Sequence, residues 1–410
     1  METNIDRIKR DLENLAKFTA EGEGITRFSY SEHDRLARNY LLDEITRLGL
    51  HVTIDGVGNI RARLDGSDSD APAVMAGSHI DSVLHGGKYD GALGTVAALE
   101  AIRVMSEQKF DNTHPVDLVI FSEEEGSNFG STLAGSKAMV GKYTVEDLKT
   151  LKNPEGRSMY DMAKDAGFDP DAMPQYVLKP GELKAMLELH VEQSVVLENE
   201  KASIGVVEAI AGMKTLKLTF GGVANHAGAT PMTLRQDPMV GAATVIVEIE
   251  KLVKNTALST TVGTVGRIYC RPNVPNIIPG EVVFTLDVRD VNTKGIEIVV
   301  SETEKMAAKL AKERGLEHQV ELIGESPVVV LDEKVADVVE NAARKKGYEY
   351  RRMNSGAVHD CAMLAGLTSV GLIFVPSIQG RSHVPEENTH EEDIRKGCDV
   401  MLETVATLAK

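Results

Sequence analysis

The chain has no tryptophan, and aromatic residues make up only 4% of its 410 positions, so we expect a core of aliphatic side chains. Cysteine is also scarce, with only Cys270, Cys361 and Cys398. An odd and sparse set excludes a disulfide framework and is typical of a reducing compartment. No apolar run reaches the ~20 residues of a membrane span, and the N-terminal stretch lacks the apolar core of a signal peptide. We therefore expect a soluble, cytoplasmic protein with no membrane partner.

Basic residues are also fewer than acidic residues. Lysine and arginine number 45 against 62 aspartates and glutamates, which gives a net charge of −17. No run of basic residues offsets this excess, and so acidic a surface repels phosphate backbones. Nucleic acid is therefore excluded as a partner. The remaining composition, 42% hydrophobic and 26% charged, is ordinary for a globular protein long enough for more than one domain.

The first half of the chain alternates strand and helix patterns. Residues 73–78 (AVMAGS) form a continuous run of small and apolar residues, typical of a strand buried on both faces, and 117–121 (DLVIF) predict another buried strand. A helix is predicted between them, over about 91–108. Strand, helix and strand at this spacing predict an α/β fold with a doubly wound, mainly parallel sheet.

The stretch from about 211 to 325 follows a different pattern and predicts an inserted domain. Its elements come in the order β-α-β-β-α-β, which is ferredoxin-like. We therefore divide the chain into a larger domain, 1–210 plus 327–410, and an inserted α+β domain, 211–326. The inserted strands are predicted near 213–220, 261–269, 281–288 and 317–323, and its helices near 236–254 and 293–314.

The end of the chain returns to the α/β pattern. Residues 371–375 predict one more buried strand. The last helix is expected to begin at a capping box, with Thr389 at the N-cap and Glu392 three residues later.

Two polar residues follow the first buried strand. His79 ends that strand, where side chains reach the crevice at the carboxyl edge of a sheet. Asp81, two residues later, is placed to fix the tautomer of a liganding His79. Asp90 stands at the start of the predicted helix. Taken alone, His79 is as well explained by a turn contact, and Asp90 by an ordinary N-cap.

Three consecutive acids, including Glu124 and Glu125, follow the second buried strand. Burying like charges together is unfavourable unless cations compensate them, although a solvated loop is the alternative. In 187–193 (LELHVEQ), His190 shares one strand face with two acids, and that face is either a ligand site or solvent-exposed. His383 follows the strand at 371–375 by a short loop.

Together, these residues provide three imidazoles and two carboxylates after successive buried strands. Such a set can hold two divalent cations about 3.5–4 Å apart around a bridging water, which is a centre suited to hydrolysis. Histidine and carboxylate ligands without thiolate suit zinc, manganese, cobalt or nickel. The alternative of a Cys–His nucleophile at Cys361 and His359 is rejected, because nothing else in the sequence supports it.

At these residues the chain resembles the dinuclear metallopeptidase clan of aminoacylases and carboxypeptidases. Within that clan it is most similar to the branch of L-carbamoylases and allantoate amidohydrolases. The resemblance covers nearly the whole chain. The motifs that carry it are GSHIDSV, YDGALG, EEEGS, LELHVEQ, NHAGATPM, RPNVPNIIP, LDVRD, SGAVHD and GRSHVPEE.

The resemblance implies two metal ions and a set of ligands for each. His79 and His190 would hold one cation, Glu125 and His383 would hold the other, and Asp90 would bridge the two. It also implies that the larger domain is catalytic, and that the inserted domain is a lid and the contact surface of a homodimer.

The resemblance further implies roles in catalysis and substrate binding. Glu124 would be the general base, and His226 would polarise the scissile carbonyl of its own or the partner's site. Asn276 and Arg289 would bind the substrate carboxylate, with Gln193 lining the site. From the residues alone, a turn contact explains His226 as well, and a salt bridge to a neighbour explains Arg289 as well.

Three positions depart from the family pattern. Val358 stands where SGAGHD has glycine, Asn128 stands where arginine is common, and Ser194 replaces the usual glycine. None of the three is an expected metal ligand. Each bears on the choice of substrate, Asn128 most of all.

Hydrolysis of a small ureido acid is the function that the resemblance implies. An N-carbamoyl-L-amino acid is the first choice of substrate, and allantoate is the second. An aminoacylase or dipeptidase of the same clan stays open as a third reading. A non-catalytic binder of ureido acids is the alternative from another class.

Overall fold

The computed structural model describes all residues, 1–410, and they form two compact units. The first unit comprises Met1–Glu208, Leu331–Ser355 and His359–Lys410. The second comprises Ala209–Val330 and Gly356–Val358. None of the helices combines the length and the apolar character that crossing a bilayer requires.

The helices and strands are numbered in chain order. The helices are α1 Ile5–Lys17, α2 Glu32–Arg47, α3 Ala92–Glu107, α4 Ala134–Met139, α5 Val145–Thr150, α6 Met159–Asp165, α7 Val196–Glu200, α8 Pro238–Asn255, α9 Thr293–Arg314, α10 Glu333–Lys345, α11 Cys361–Leu364 and α12 Glu391–Ala409. The strands are β1 His51–Ile54, β2 Ile60–Leu64, β3 Ala73–His79, β4 Val116–Phe121, β5 Leu183–Val191, β6 Ile204–Ile210, β7 Gly212–Gly221, β8 Asn225–His226, β9 Val262–Arg271, β10 Ile277–Ile278, β11 Glu281–Asp290, β12 Glu317–Ser326, β13 Val329–Val330, β14 Tyr350–Ser355 and β15 Ser369–Val375.

The sheet of the first unit runs β1-β2-β4-β3-β5-β15-β6, with β14 also paired to β6. Its four central strands, β4, β3, β5 and β15, are parallel to one another. The outer pairs β1–β2, β2–β4 and β6–β15 are antiparallel. The predicted parallel sheet is confirmed in this centre, where every residue of β3 and β4 is buried.

Helices α3 and α12 cover the sheet of the first unit. Fourteen of the sixteen residues of α3 are buried, so this helix lies within the core and not on its surface. The predicted aliphatic core is confirmed, because Tyr89 is the only aromatic residue among the buried members of the main cluster. The carboxyl ends of β3, β4, β5 and β15 therefore extend from a buried, closely packed core.

The expected capping box of the last helix is wrong. The helix α12 begins at Glu391, and its N-cap is His390, whose carbonyl accepts the first helical N–H, from Ile394, at 3.0 Å. Thr389 precedes the N-cap and is buried, and its hydroxyl has no hydrogen-bond partner. The hydroxyl therefore points into the protein and does not reach the free N–H groups of the helix.

The second unit has the predicted β-α-β-β-α-β order, formed by β7, α8, β9, β11, α9 and β12. Its antiparallel sheet has the order β12-β7-β11-β9. Along β11 burial alternates, and the buried side chains Val282, Phe284, Leu286 and Val288 pack with residues of α8 and α9. A separate two-stranded sheet pairs β8 with β10.

Candidate metal centre

His79 and His190 lie at the carboxyl ends of β3 and β5 and are almost fully buried. The Nδ1 atom of His79 is 3.0 Å from the main-chain oxygen of Asp81, and Nδ1 of His190 is 2.9 Å from that of Val191. A carbonyl oxygen only accepts hydrogen bonds, so both Nδ1 atoms carry hydrogen. Each Nε2 atom therefore keeps a lone pair, and in His190 this lone pair accepts the N–H of Gly91 at 3.2 Å, a contact that a bound cation would replace. The burial of His190 also excludes the alternative of a solvent-exposed strand face.

Asp90 lies between three imidazoles. Its Oδ1 is 3.5 Å from Nε2 of His79 and 3.1 Å from Nε2 of His190. Its Oδ2 is 3.2 Å from Nε2 of His383, which is itself 3.5 Å from Oε2 of Glu125. Two groups of three donors result, each with its ligand atoms within 4.8 Å of one another, and Asp90 belongs to both. The N-cap explanation of Asp90 is wrong, because Gly91 occupies the N-cap of α3.

This donor set fits a pair of divalent cations. Burial alone would lower the pKa of His79, but Glu124 and Asp90 raise that pKa well above its ordinary value. The hydrogen bond to Asp90 raises the pKa of His383 to about 9. In both rings the carboxylates attract positive charge to Nε2, and a metal ion supplies that charge as well as a proton does. Buried carboxylates and neutral imidazoles are the ligands that zinc and similar metals take.

Glu124 and Glu125 follow β4 and are held by Asp81. The N–H groups of the two glutamates donate to the two carboxylate oxygens of Asp81, each at 3.1 Å. We expected the Asp81 carboxylate to fix His79, but it is the main-chain oxygen of Asp81 that makes the close contact with Nδ1. The Asp81 carboxylate, 3.6 Å from Nδ1, instead positions the acids after β4.

Glu124 lies beside the metal-ligand groups, with Oε2 at 3.7 Å from Nε2 of His79. It is buried, so the alternative of a solvated acidic loop is wrong. Burial raises the pKa of Glu124 well above its ordinary value, although the charge of His79 opposes this shift. Burial and the charge of Asp90 raise the pKa of Glu125 to about 7. A carboxyl group with a raised pKa is suited to taking and returning a proton.

Gln193 is the remaining predicted residue of the first unit. Its Nε2 donates to Oδ2 of Asp90 at 2.8 Å and is 3.3 Å from Nε2 of His383. Its main chain has φ of 60°, an uncommon conformation for a residue other than glycine, and its N–H donates to the hydroxyl of Ser377 at 3.0 Å. The structure therefore places the Gln193 amide directly against Asp90.

His226, Asn276 and Arg289 belong to the second unit. Nδ1 of His226 accepts the N–H groups of Gly228 and Ala229, each at 3.1 Å. The hydrogen of a neutral His226 is therefore on Nε2, and the exposed ring offers it as a donor. The carbonyl of Asn276 accepts the N–H of Ala227, the residue after His226, at 3.0 Å, and the pairing of β8 with β10 places Ile277 opposite His226.

Arg289 lies on β11 and makes an ion pair with a neighbour, which is the alternative role that its place in the sequence allows. Its Nε is 2.9 Å from Oδ1 of Asp287, and its NH1 group donates to the carbonyl of Gly356 at 3.0 Å. About a third of the Arg289 side chain remains exposed. The NH2 group is the least engaged, since its contact to Asp287 is 3.5 Å.

The structure adds two groups that the sequence did not single out as site residues. The ring of His359 meets the ring of His190 edge-on, with centroids 4.7 Å apart, and Nε2 of His359 is 2.9 Å from the hydroxyl of Ser355. Glu387, which appeared only inside the motif GRSHVPEE, is buried beside Asp90. Burial raises the pKa of the Cys361 thiol well above its ordinary value, which agrees with rejecting this cysteine as a nucleophile.

Asn128, one of the three departures from the family pattern, is turned into the protein. Its side-chain amide donates to the carbonyl of Ser29 at 2.9 Å, and its N–H donates to Oε1 of Glu123 at 3.1 Å. Asn128 is therefore occupied in holding the loop after β4.

Comparison with known proteins identifies the family of this chain. Residues 70–407 match peptidase family M20/M25/M40. An N-carbamoyl-L-amino acid amidohydrolase of Geobacillus stearothermophilus is 40% identical over 387 residues, 94% of each chain. An allantoate amidohydrolase of Escherichia coli is 34% identical over 405 residues, 98% of this chain and 97% of that protein. A crystal structure of an amidase of the hydantoinase/carbamoylase family from Burkholderia multivorans superposes with a TM-score of 0.92 at 32% identity, covering 100% of this chain and 98% of that one.

Proposed function

We propose that this chain, which belongs to peptidase family M20/M25/M40, hydrolyses the ureido C–N bond of an N-carbamoyl-L-amino acid. The products would be the free amino acid, carbon dioxide and ammonia. The observation that carries this proposal is the position of Asp90, whose two oxygens face separate groups of metal ligands. The relative at 40% identity, named for the same reaction, supports the choice of substrate.

Two divalent cations per chain are part of the proposal. His79, His190 and Asp90 would hold one of them, and Asp90, Glu125 and His383 the other. Zinc, manganese, cobalt and nickel all suit this donor set. Such a pair lowers the pKa of water and polarises a carbonyl, which is the chemistry that an unreactive ureido group requires.

Glu124 would act as the general base. It lies next to His79 without belonging to either group of ligands, so its carboxylate is available to accept a proton from water. It would then return that proton to the leaving nitrogen. Because its surroundings are buried, the proton would not be lost to bulk solvent between the two steps.

The second unit would recognise the substrate. His226 presents Nε2–H as a donor for the scissile carbonyl, which becomes more negative as the bond to water forms. Arg289 and Asn276 would bind the substrate carboxylate, for which the guanidinium must exchange its contact with Asp287. Gln193 would line the same site, since its amide already borders Asp90.

We also propose that the second unit is a lid and the contact surface of a homodimer. Strand β9 is an edge strand of its sheet, so one row of its main-chain groups is free to pair. Val262, Ile268 and Tyr269 on this strand are large, apolar and about half exposed or more. A cytoplasmic location belongs to the same proposal and is supported by three cysteines without disulfide bonds.

Allantoate is the second candidate substrate. It is favoured by the relative at 34% identity that is named allantoate amidohydrolase. Both substrates carry a ureido group and a carboxylate, so the same metal pair and the same arginine would serve either one.

The test is an ammonia-release assay on the metal-loaded protein. It compares N-carbamoyl-L-amino acids, their D-enantiomers, allantoate and N-acetyl-L-amino acids. We expect ammonia from the N-carbamoyl-L-amino acids, and a higher kcat/KM for them than for allantoate. A preference for allantoate would establish the second candidate. Cleavage of the N-acetyl compounds alone would indicate an aminoacylase, and no turnover on any compound by protein with two bound metals would indicate a binder.

A further inference from the structure

Glu387 is a buried acid, 4% exposed, that holds the loop carrying Asp90. Its Oε1 accepts the N–H of Tyr89 at 2.9 Å and the N–H of Asp90 at 3.0 Å. Its Oε2 accepts the hydroxyl of Ser382 at 2.7 Å. Since Ser382 directly precedes His383 in the chain, one side chain joins the loop of Asp90 to the loop of His383.

The contact between Glu387 and the Asp90 loop is close enough to require glycine at position 87. A Cβ atom on Gly87 would lie 2.1 Å from Oε1 of Glu387, far inside the range of real contacts. The Glu387 side chain therefore lies directly on the main chain of this loop, whose other end is held by the start of α3 beside His79 and His190.

The hydroxyl of Ser382 connects the two carboxylates. It lies 3.1 Å from Oδ2 of Asp90 and 2.7 Å from Oε2 of Glu387, but it has a single hydrogen to donate. Because the Gln193 amide already donates to Oδ2 of Asp90 at 2.8 Å, donation of the Ser382 hydrogen to the nearer Glu387 leaves the other lone pair of Oδ2 free for a cation. This oxygen belongs to the ligand group that includes His383.

The two ligand groups are supported differently. His79 and His190 lie on neighbouring strands of the central sheet and are buried. His383 lies in a loop, where its side chain is 47% exposed and its main chain has a φ of 59°. The group containing His383 therefore depends more on the hydrogen bonds between loops. Glu387 provides those bonds from both of its oxygens.

We propose that Glu387 is a positioning residue that sets Asp90 against His383. It would thereby control affinity for the cation held by Asp90, Glu125 and His383, called the second ion below; the first ion is the one held by His79, His190 and Asp90. The inference rests on the metal pair of the proposed function. It assigns to Glu387 no contact with the substrate and no part in proton transfer.

The test is a titration of metal-free protein with Co²⁺, read by visible absorption and by metal content after dialysis. In Glu387→Ala we expect the second ion to bind about 10- to 100-fold more weakly, and the first ion with little change. Ammonia release should recover as Co²⁺ is raised, with KM for the substrate unchanged. The matched control is Glu386→Ala, which alters the exposed neighbour and should bind both ions like the unaltered protein.

Equal weakening of both ions, or full affinity for both, would overturn the proposal. Glu387→Gln provides a second test if the alanine variant does not fold. Its one carbonyl oxygen still accepts both N–H groups, but its NH₂ group faces the Ser382 hydroxyl, whose hydrogen is then directed at Oδ2 of Asp90. The second ion should again bind more weakly. An unaltered protein that binds two ions but releases no ammonia would contradict the proposed function and leave the result for Glu387 intact.

Discussion

The packing of α3 against β5 gives a prediction whose magnitude can be worked from distances. Gly94 lies in the first turn of α3, four residues after Asp90, and a Cβ atom there would be 2.1 Å from the carbonyl oxygen of Leu189. Ordinary contact begins at 3.4 Å, so Gly94→Ala requires the helix and the strand to separate by about 1.3 Å, the difference of the two distances. Leu189 directly precedes His190, so the separation also moves Asp90 away from His190.

The expected loss of stability follows from two opposing terms. Overpacking typically costs about 1–3 kcal/mol, and the upper end applies here because a main-chain oxygen in a central strand has nowhere to move. Alanine is better than glycine in a helix by about 1 kcal/mol, which offsets part of this. We therefore expect Gly94→Ala to lower the free energy of unfolding by about 2 kcal/mol, measured by urea denaturation of the metal-free protein.

The matched control is Gly366→Ala, where the added Cβ atom would meet nothing within 4 Å. This variant should unfold like the unaltered protein and bind both Co²⁺ ions normally, whereas Gly94→Ala should bind the first ion more weakly. If Gly94→Ala is as stable as the control and binds Co²⁺ as tightly, the close packing of α3 on β5 does not set the distance from Asp90 to His190.

Three further outcomes follow from the site. Glu124→Gln should keep both metals but lose about 10²–10⁴-fold in kcat, because only the proton acceptor is removed; turnover near normal with two metals bound would exclude Glu124 as the base. Arg289→Lys should raise KM by about 10- to 100-fold, because one hydrogen bond to the charged carboxylate is lost, and should leave the metal content unchanged. Equal KM values for carboxylate and carboxamide substrates would exclude carboxylate binding by Arg289. Chelation of the cations should abolish ammonia release and lower the melting temperature, because each ion, at about 100 times its Kd, stabilises the fold by about 2.7 kcal/mol. An unchanged melting temperature after complete removal of the cations would argue against a buried metal pair.

The sequence predicted the sheet well because its central strands are continuous apolar runs. Residues 73–77 and 118–121 are apolar at every position except for glycine, so only a strand covered on both faces can bury them. That placed His79 at a strand end without any knowledge of the fold. The family and the β-α-β-β-α-β order of the inserted segment were predicted correctly for the same reason, since motifs and periodicity are local properties.

Contacts between segments that are distant in the sequence could not be predicted in this way. No local pattern predicts that the main-chain oxygen of Asp81 contacts His79, or that Glu387 holds the loop of Asp90, 297 residues away. Thr389 and Glu392 have the spacing of a capping box, but the hydroxyl of Thr389 is buried and the helix starts later. In each case tertiary packing, which a short sequence window does not contain, selects among acceptors that are locally equivalent.

Anomalous diffraction from crystals loaded with Mn²⁺ tests the metal pair most directly. We predict two peaks per chain about 3.5–4 Å apart, with Asp90 between them, His79 and His190 on one ion, and Glu125 and His383 on the other. A single peak, or ions held by other residues, would contradict the account.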